Sequence, residues 1–468
     1  MIEDITGLFN KNDNLIGGSN THKFKKAKLN LFTSKNNMDT LLIPLSNANT
    51  ITVGIFINAG SRQETEAFGI AHFLEHMTFK GTKKRTSESL MIELDSIGAQ
   101  YNAMTGHEFT LYYISGDPRD SDTLIDIIID LYLNPSYPEK DIEKERNVVI
   151  EELKMSEDSN HKTLSNALYR NLFNNLSDEL SSLGRPIIGF EDTIKKMNRL
   201  DIMKYRENNY KPSNCLLCIS GNFHKKEVLK LVAEKFNTSL HKKKLTHNLF
   251  YDNMLDSNSI CTIKNINKNI QKYTHINKDI NQTIINFVFN SFNSFNLNNN
   301  AVDLFCDTLS NGFSSRFFNL LRNKLGVSYY NNSFNRTFND IGHLIISVGV
   351  EHKSVVNTIK ELLNELKNIK ETGITEQELQ KAKKQNETSL LFQFKDPYEY
   401  LMYYGMNYLV KKPLYSLSDV LNNIDSVKLS DLNSITKSIL TKDNIIIGTI
   451  GKVSDSDIKE INKLVADF

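Results

Sequence analysis

The sequence repeats itself weakly at an offset of about 230 residues. NCLLCISGNFHKKEVLKLVAEKF (214–236) reads as a strand, a glycine and an amphipathic helix. NIIIGTIGKVSDSDIKEINKLV (444–465) reads the same way, with Gly221 matched by Gly451. Two further pairs keep a similar spacing. PEKDIEKERNVVIEEL (138–153) and TEQELQKAKKQNETSLL (375–391) are helices with acidic first turns, which suit the positive end of the helix dipole. YYISGDPRDSDTLIDIIIDL (112–131) and LIISVGVEHKSVVNTIKELL (344–363) are strands followed by helices. A chain of 468 residues exceeds one ordinary core, since domains run to about 100 to 200 residues. The expected fold is therefore α+β, a mixed α/β arrangement of two homologous halves. Each half is a mixed sheet with helices packed on one face.

In the first half, TITVGIFINAG (50–60) is a strand rich in β-branched residues, closed by Gly60. A helix is expected from Ile70 to Phe79, and another over 87–100 with Gly98 at its end. NAMTGHEFTLYYIS (102–115) returns as strand. The polar stretch 237–262 is the expected connector between the halves.

Composition narrows the functional classes. The chain has 56 basic and 55 acidic side chains, a net charge of +1, which argues against a general nucleic-acid binder. No apolar run approaches the ~20 residues that cross a bilayer. The start, Met-Ile-Glu-Asp-Ile-Thr, has no apolar signal core, so secretion is not expected. Four cysteines in so long a chain are no disulfide framework and point to a reducing compartment. Cys215 and Cys218 fall on one strand, three residues apart, which sends their thiols to opposite faces and suits packing rather than metal or redox work.

The chemistry-bearing motif is His72-Phe73-Leu74-Glu75-His76, an H-x-x-E-H. On a helix, positions i and i+4 share a face, so both imidazoles reach one ion. Glu75 lies beside them, where a carboxylate holds and deprotonates water. Zinc suits such a site, because it takes nitrogen and oxygen ligands and leaves a position open. Phe73 and Leu74 supply the apolar contacts of the helix.

GSRQETEAFGIAHFLEHMTFKGTKKRT (60–86) resembles the signature of the pitrilysin/insulinase-type zinc peptidases, or inverzincins, and most of all their processing-peptidase β branch with its bacterial relatives. The resemblance implies a zinc endopeptidase holding one Zn2+ per chain and acting on extended peptides or presequences. It implies a third ligand, a glutamate 76 residues past His76, which is Glu152 here, with Glu151 as the fallback. It implies that Glu145, on the same helical face seven residues earlier, supports the ligands from behind. SNGFSSRFFNLLRNKLGVSYY (310–330) resembles the family's segment around an assisting Arg and Tyr, here Arg322 and Tyr329. These would donate to the oxyanion and the peptide backbone, in this subunit or a neighbouring one. Asn323 stands where the family commonly has an acidic residue. Asn102, Ala103, Met104 and Thr105 sit where family members add the peptide to a sheet edge. His107, in the same stretch, carries no assigned role. Aligning 138–153 with 375–391 puts Ala382 and Ser389 opposite Glu145 and Glu152, and no second H-x-x-E-H follows, so only the first half is expected to hold metal.

The expected layout is an extension over 1–27, a catalytic zinc domain over 28–240, a linker over 241–265 and a homologous non-catalytic domain over 266–468. The partners implied are a peptide and either a second copy or an α-like subunit; neither nucleic acid nor a transmembrane segment is expected. A mitochondrial matrix or related organelle fits a processing-peptidase-like role, and the cytoplasm fits otherwise. The alternatives are a catalytically inactive scaffold of the same fold and a peptide-binding module that uses the sheet edge without hydrolysis.

Overall fold

The computed structural model describes residues 27–173, 176, 179–244 and 260–468. Residues 1–26 of the expected extension lie outside these. The first half forms one seven-stranded sheet. Its strands are β1 (Asn30–Ser34), β2 (Asp39–Pro44), β3 (Ile51–Ile57), β4 (Gln100–Thr105), β5 (Thr110–Gly116), β6 (Cys215–Gly221) and β7 (Leu240–Lys243). They lie in the order β4-β5-β3-β6-β2-β1-β7, antiparallel except for the β2–β6 pair. The second half forms a five-stranded sheet from β8 (Tyr273–Asn277), β9 (Thr283–Ser291), β10 (Ser328–Thr337), β11 (Gly342–Val350) and β12 (Ile445–Gly451). The order is β10-β11-β9-β12-β8, and only β12–β8 is parallel. Strand for strand this repeats β4-β5-β3-β6-β2, down to the position of the single parallel pair. Gly221 and Gly451 end equivalent strands at φ of 125° and 141°, a region that favours glycine.

Among the described residues, the first half's α-helices of six or more residues are α1 (Ile70–Thr78), α2 (Ser87–Ser96), α3 (Ser121–Leu133), α4 (Glu139–Asp158), α5 (Asn160–Phe173), α6 (Glu191–Lys196), α7 (Arg199–Asn209) and α8 (Lys225–Lys235). Those of the second are α9 (Asn299–Ser310), α10 (Val355–Thr372), α11 (Glu376–Gln393), α12 (Pro397–Leu409), α13 (Leu417–Asp425), α14 (Leu429–Ile439) and α15 (Asp455–Ala466). Each half packs most of its own helices on one face of its sheet, as expected. The opposite faces are covered by an exchange. α5 leaves the first half and lays Leu164, Leu168 and Leu172 on Val288, Ile345 and Ile446 of the second sheet. α12, one repeat later, lays Leu401 and Tyr404 on Phe56, Leu111 and Leu216 of the first. The two sheets are thus clamped together by a reciprocal pair of helices. Cys215 lies in the core beneath the first half's own helices and Cys218 in the core beneath α12, on opposite faces, and burial raises both thiols. All four cysteines are free.

The exchange requires close approach. A Cβ on Gly405 of α12 would stand 2.3 Å from the ring of buried Phe56. Gly to Ala inside a helix normally stabilises by about 1 kcal/mol. Here the ring has to move, and Gly405→Ala is expected to destabilise by about 1–3 kcal/mol. Chemical denaturation checks the sign; a variant as stable as the parent or more so would show slack in this contact.

Two local expectations need correction. The stretch 102–115 is not one strand but a hairpin, with Gly106–Phe109 as its tip. Gly-His-Glu is a weak turn signal between β-formers, and the tip is fixed from outside: Glu108 accepts from the Asn339 amide (3.0 Å) and pairs with Arg62 (2.8 Å), which also binds Asp340. The connector expected over 237–262 opens with β7, whose polar side chains are compatible with an edge strand paired to β1. Ile263, at the far side of the expected linker, is buried, and 245–259 lie outside the described residues. Among the described residues no helix is long and apolar enough to cross a membrane.

Candidate metal centre

The centre sits between α1 and α4. α1 buries Ala71, Phe73, Leu74 and Met77 completely against the sheet, which turns His72, Glu75 and His76 toward a cavity. The helix starts at Gly69, whose φ of 96° lets the chain turn in. Buried Glu64 caps that start, accepting from the amides of Gly69 (2.9 Å) and Ala71 (3.0 Å). Burial pushes the Glu64 carboxyl up to about 8, against those bonds and nearby Arg185. Sequence reasoning gave Glu64 no role; a buried acid just before a helix is a faint signal.

α4 presents Glu145 and Glu152 on the side facing α1, two turns apart. Glu152 approaches both imidazoles, with Oε2 3.2 Å from Nε2 of His76 and Oε1 3.6 Å from Nε2 of His72. One donor atom from each of His72, His76 and Glu152 falls within a mutual spread of 4.8 Å, the only such group among the described residues. Ligands about 2.0–2.1 Å from a tetrahedral zinc stand roughly 3.3 Å apart, and the two Glu152–imidazole separations are of that size. The donor set, two neutral-capable nitrogens and one carboxylate, fits zinc and leaves a position facing the cavity. Glu151 is exposed and pairs with Lys154 at 2.7 Å, away from the centre.

Glu145 stands behind His76, with Oε2 3.2 Å from Nδ1, while Lys80 holds its other oxygen at 2.6 Å. This contact favours the tautomer in which His76 Nδ1 carries the proton and Nε2 is free to ligate. Nδ1 of His72 is buried and has no such partner. The electrostatics separate the two rings. Burial, and then the charge of His76, lowers His72 to about 4. Burial opposes the charge on His76 as well, but Glu152 and Glu145 outweigh it and raise that ring. Glu75 is raised by burial, and the Thr105 hydroxyl donates to its Oε2.

The cavity beside the centre has a volume of about 940 Å³ and lies between the halves. His72, Glu75, His76, Glu152 and the strand residues Asn102, Ala103, Met104 and Thr105 all line it. β4 is one edge of its sheet, the edge that borders the cavity, so an extended segment there has an unpaired strand to meet. α5 and the second sheet form the other walls. Arg322 and Tyr329 are not brought to this cavity. They line a separate 410 Å³ cleft, and Arg322 donates to the Ser328 carbonyl at 3.3 Å. The β10–β11 register shifts between Ser328 and Tyr330, leaving Tyr329 as the extra residue and 61% exposed. Its neighbour Tyr330 lines both that cleft and the metal cavity, lying over Gly349 and meeting His161 at 3.3 Å.

Comparison with known proteins shows the family. Residues 40–185 match the family model for insulinase (peptidase family M16), and 196–386 match that for the peptidase M16 inactive domain. A Rickettsia bellii protein described as an uncharacterized zinc protease is 30% identical over 87% of this chain and 94% of its own. The chain belongs to the M16 peptidases. A Bacillus subtilis zinc protease, also uncharacterized, is 28% identical over 88% of this chain and 96% of its own. The β subunit of the mouse mitochondrial processing peptidase is 38% identical over 42% of this chain and 39% of its own. The crystal structure of a Helicobacter pylori protease shares the fold, with a TM-score of 0.77 at 21% identity, covering 92% of this chain and all of that one. In this M16 chain the metal-type residues lie within the segment matched by the insulinase model, and the exchanged helix α5 falls in it too.

Proposed function

We propose that this chain is a zinc-dependent endopeptidase that cleaves extended peptides. The observation that carries the reading is the gap framed by His72, His76 and Glu152, with Glu75 next to it in a cavity edged by β4. His72, His76 and Glu152 would hold one zinc ion per chain, and Glu145 would orient His76. Bound zinc supplies Lewis acidity, which polarises a carbonyl and acidifies water. Glu75 takes the proton from the attacking water and hands it to the leaving amine. Its raised affinity for protons, from burial, suits both halves of that task. The edge of β4 aligns the peptide, with Asn102–Thr105 running past the metal side of the cavity. In this reading residues 28–240 carry catalysis and 266–468 supply the opposing wall. Arg322 and Tyr329, set in their own cleft, fit a role toward the cavity of a second subunit, which makes a dimer the working assembly.

Mass spectrometry of an unstructured peptide tests the reading. Cleavage is expected from the zinc-loaded protein, loss of cleavage with a chelator, and recovery on adding zinc back. A zinc-loaded protein that leaves every such peptide whole would favour the inactive scaffold. Zinc is also expected to raise the melting temperature, since the ion joins α1 to α4 only in the folded state. At a hundredfold excess over Kd the stabilisation is about 2.7 kcal/mol. A melting temperature indifferent to zinc would mean that the folded chain does not bind the ion.

A further inference from the structure

Outside the metal set, the full charges on the lining of the metal cavity are all positive. Glu75 and Glu152 belong to the metal set, and the remaining full charges among the lining residues are Lys162 and Arg336. Lys162 stands in the first turn of α5, near enough for its charge to act on both His72 and Glu152. Arg336 projects from β10 on the opposite wall, its guanidinium 5.7 Å from the ring centres of Tyr169 and Phe334. Its charge reaches His107 at the tip of the β4–β5 hairpin. The two cations therefore flank the path of a peptide laid along β4, one beside the metal residues and one toward the hairpin tip. Neither forms an ion pair with a carboxylate of the described residues. The Arg336 guanidinium lies near the Tyr169 hydroxyl, and with five N–H donors it has others to offer a carboxylate.

We propose that Lys162 and Arg336 select peptides bearing acidic side chains beside the scissile bond and disfavour basic ones. This rests on the peptidase reading and narrows it: strongly basic presequences are poor substrates for this cavity. Attraction and repulsion both contribute: an acidic side chain meets Lys162 and Arg336, while a basic one meets the same two cations and finds Glu75 and Glu152 engaged at the metal centre.

Three unstructured peptides of one sequence test it, differing only in Gln, Glu or Arg on both sides of the cleaved bond, which is first located in the Gln peptide. Wild-type kcat/KM and the Kd of the zinc-loaded Glu75→Gln protein are measured for each. The Glu peptide is expected to exceed the Arg peptide by at least about tenfold in both quantities at low salt, and by less as salt rises. Lys162→Gln/Arg336→Gln is expected to bring the ratio near one, and Lys162→Glu/Arg336→Glu to invert it, with zinc content measured in every variant. An Arg peptide bound and cleaved as well as the Glu peptide, or a ratio unmoved in the Gln variant, overturns the selection while cleavage of the Gln peptide keeps the peptidase reading. If the zinc-loaded wild type cleaves none of the three, the peptidase reading falls, and the Kd ratio still decides whether the cavity selects acidic peptides.

Discussion

Glu75→Gln is expected to keep one zinc per chain and to cleave peptides about a thousandfold more slowly than the wild type. Glutamine has the shape of glutamate and still offers an oxygen to the Thr105 hydroxyl, so α1 and the β4 edge keep their contact. The change removes only the proton acceptor. General acid–base groups contribute about 10²–10⁴-fold, and in the proposed mechanism Glu75 serves as base and then as acid in one turnover, which puts its loss in the upper part of that range. The proposed ligands His72 and His76 lie three residues before and one after it and are not altered. Zinc content measured beside the rate separates a lost base from a lost metal. Near-normal cleavage by this variant would move the base to another residue.

Glu152→Gln is expected to lower zinc affinity by more than about a hundredfold and to lose activity with it. The carboxylate is the single anionic donor of the set, and it closes on both imidazoles at once. An amide oxygen is a weak zinc ligand, and the two rings alone lie on one helix with nothing from α4 to complete them. Two controls grade the effect. Glu145→Gln weakens the bond that orients His76, and outer-shell partners of this kind are worth about 10–100-fold in affinity. Glu151→Gln alters an exposed pair with Lys154 and is expected to leave zinc binding unchanged. Equal losses at 151 and 152 would mean that the substitution disturbs α4 as a whole, not a ligand.

The parts of the molecule that are legible in the sequence are those written in local periodicity. The strand–glycine–helix units at 214–236 and 444–465 survive as β6–α8 and β12–α15, because alternation, a positive-φ glycine and a helical apolar stripe each leave a mark within a few residues. His72, Glu75 and His76 share a helix, so their convergence is fixed by its pitch. Glu152 comes from another helix, and its place rested on the family resemblance, since no local rule says which α4 face meets α1. The same limit hides the exchange of α5 and α12. Periodicity says that Leu164, Leu168 and Leu172 form a stripe, but not that the stripe belongs to the other half's sheet. Glu64 was missed because its partners are backbone amides of a helix start brought near by a loop. At Tyr329 and Tyr330 the difficulty is one residue of register. A bulge decides which tyrosine faces the cavity, and alternation along β10 does not announce it.

The central claim is that one zinc ion on His72, His76 and Glu152 hydrolyses peptide bonds with Glu75 as base. Its most direct measurement is mass spectrometry of one unstructured peptide incubated in oxygen-18 water with zinc-loaded wild type and, alongside, zinc-loaded Glu75→Gln. The account predicts paired fragments from the wild type, with the heavy oxygen in the newly formed carboxyl group, and an intact peptide from Glu75→Gln over the same time. An intact peptide from a wild type carrying its full zinc, or equal fragmentation by both proteins, would contradict it.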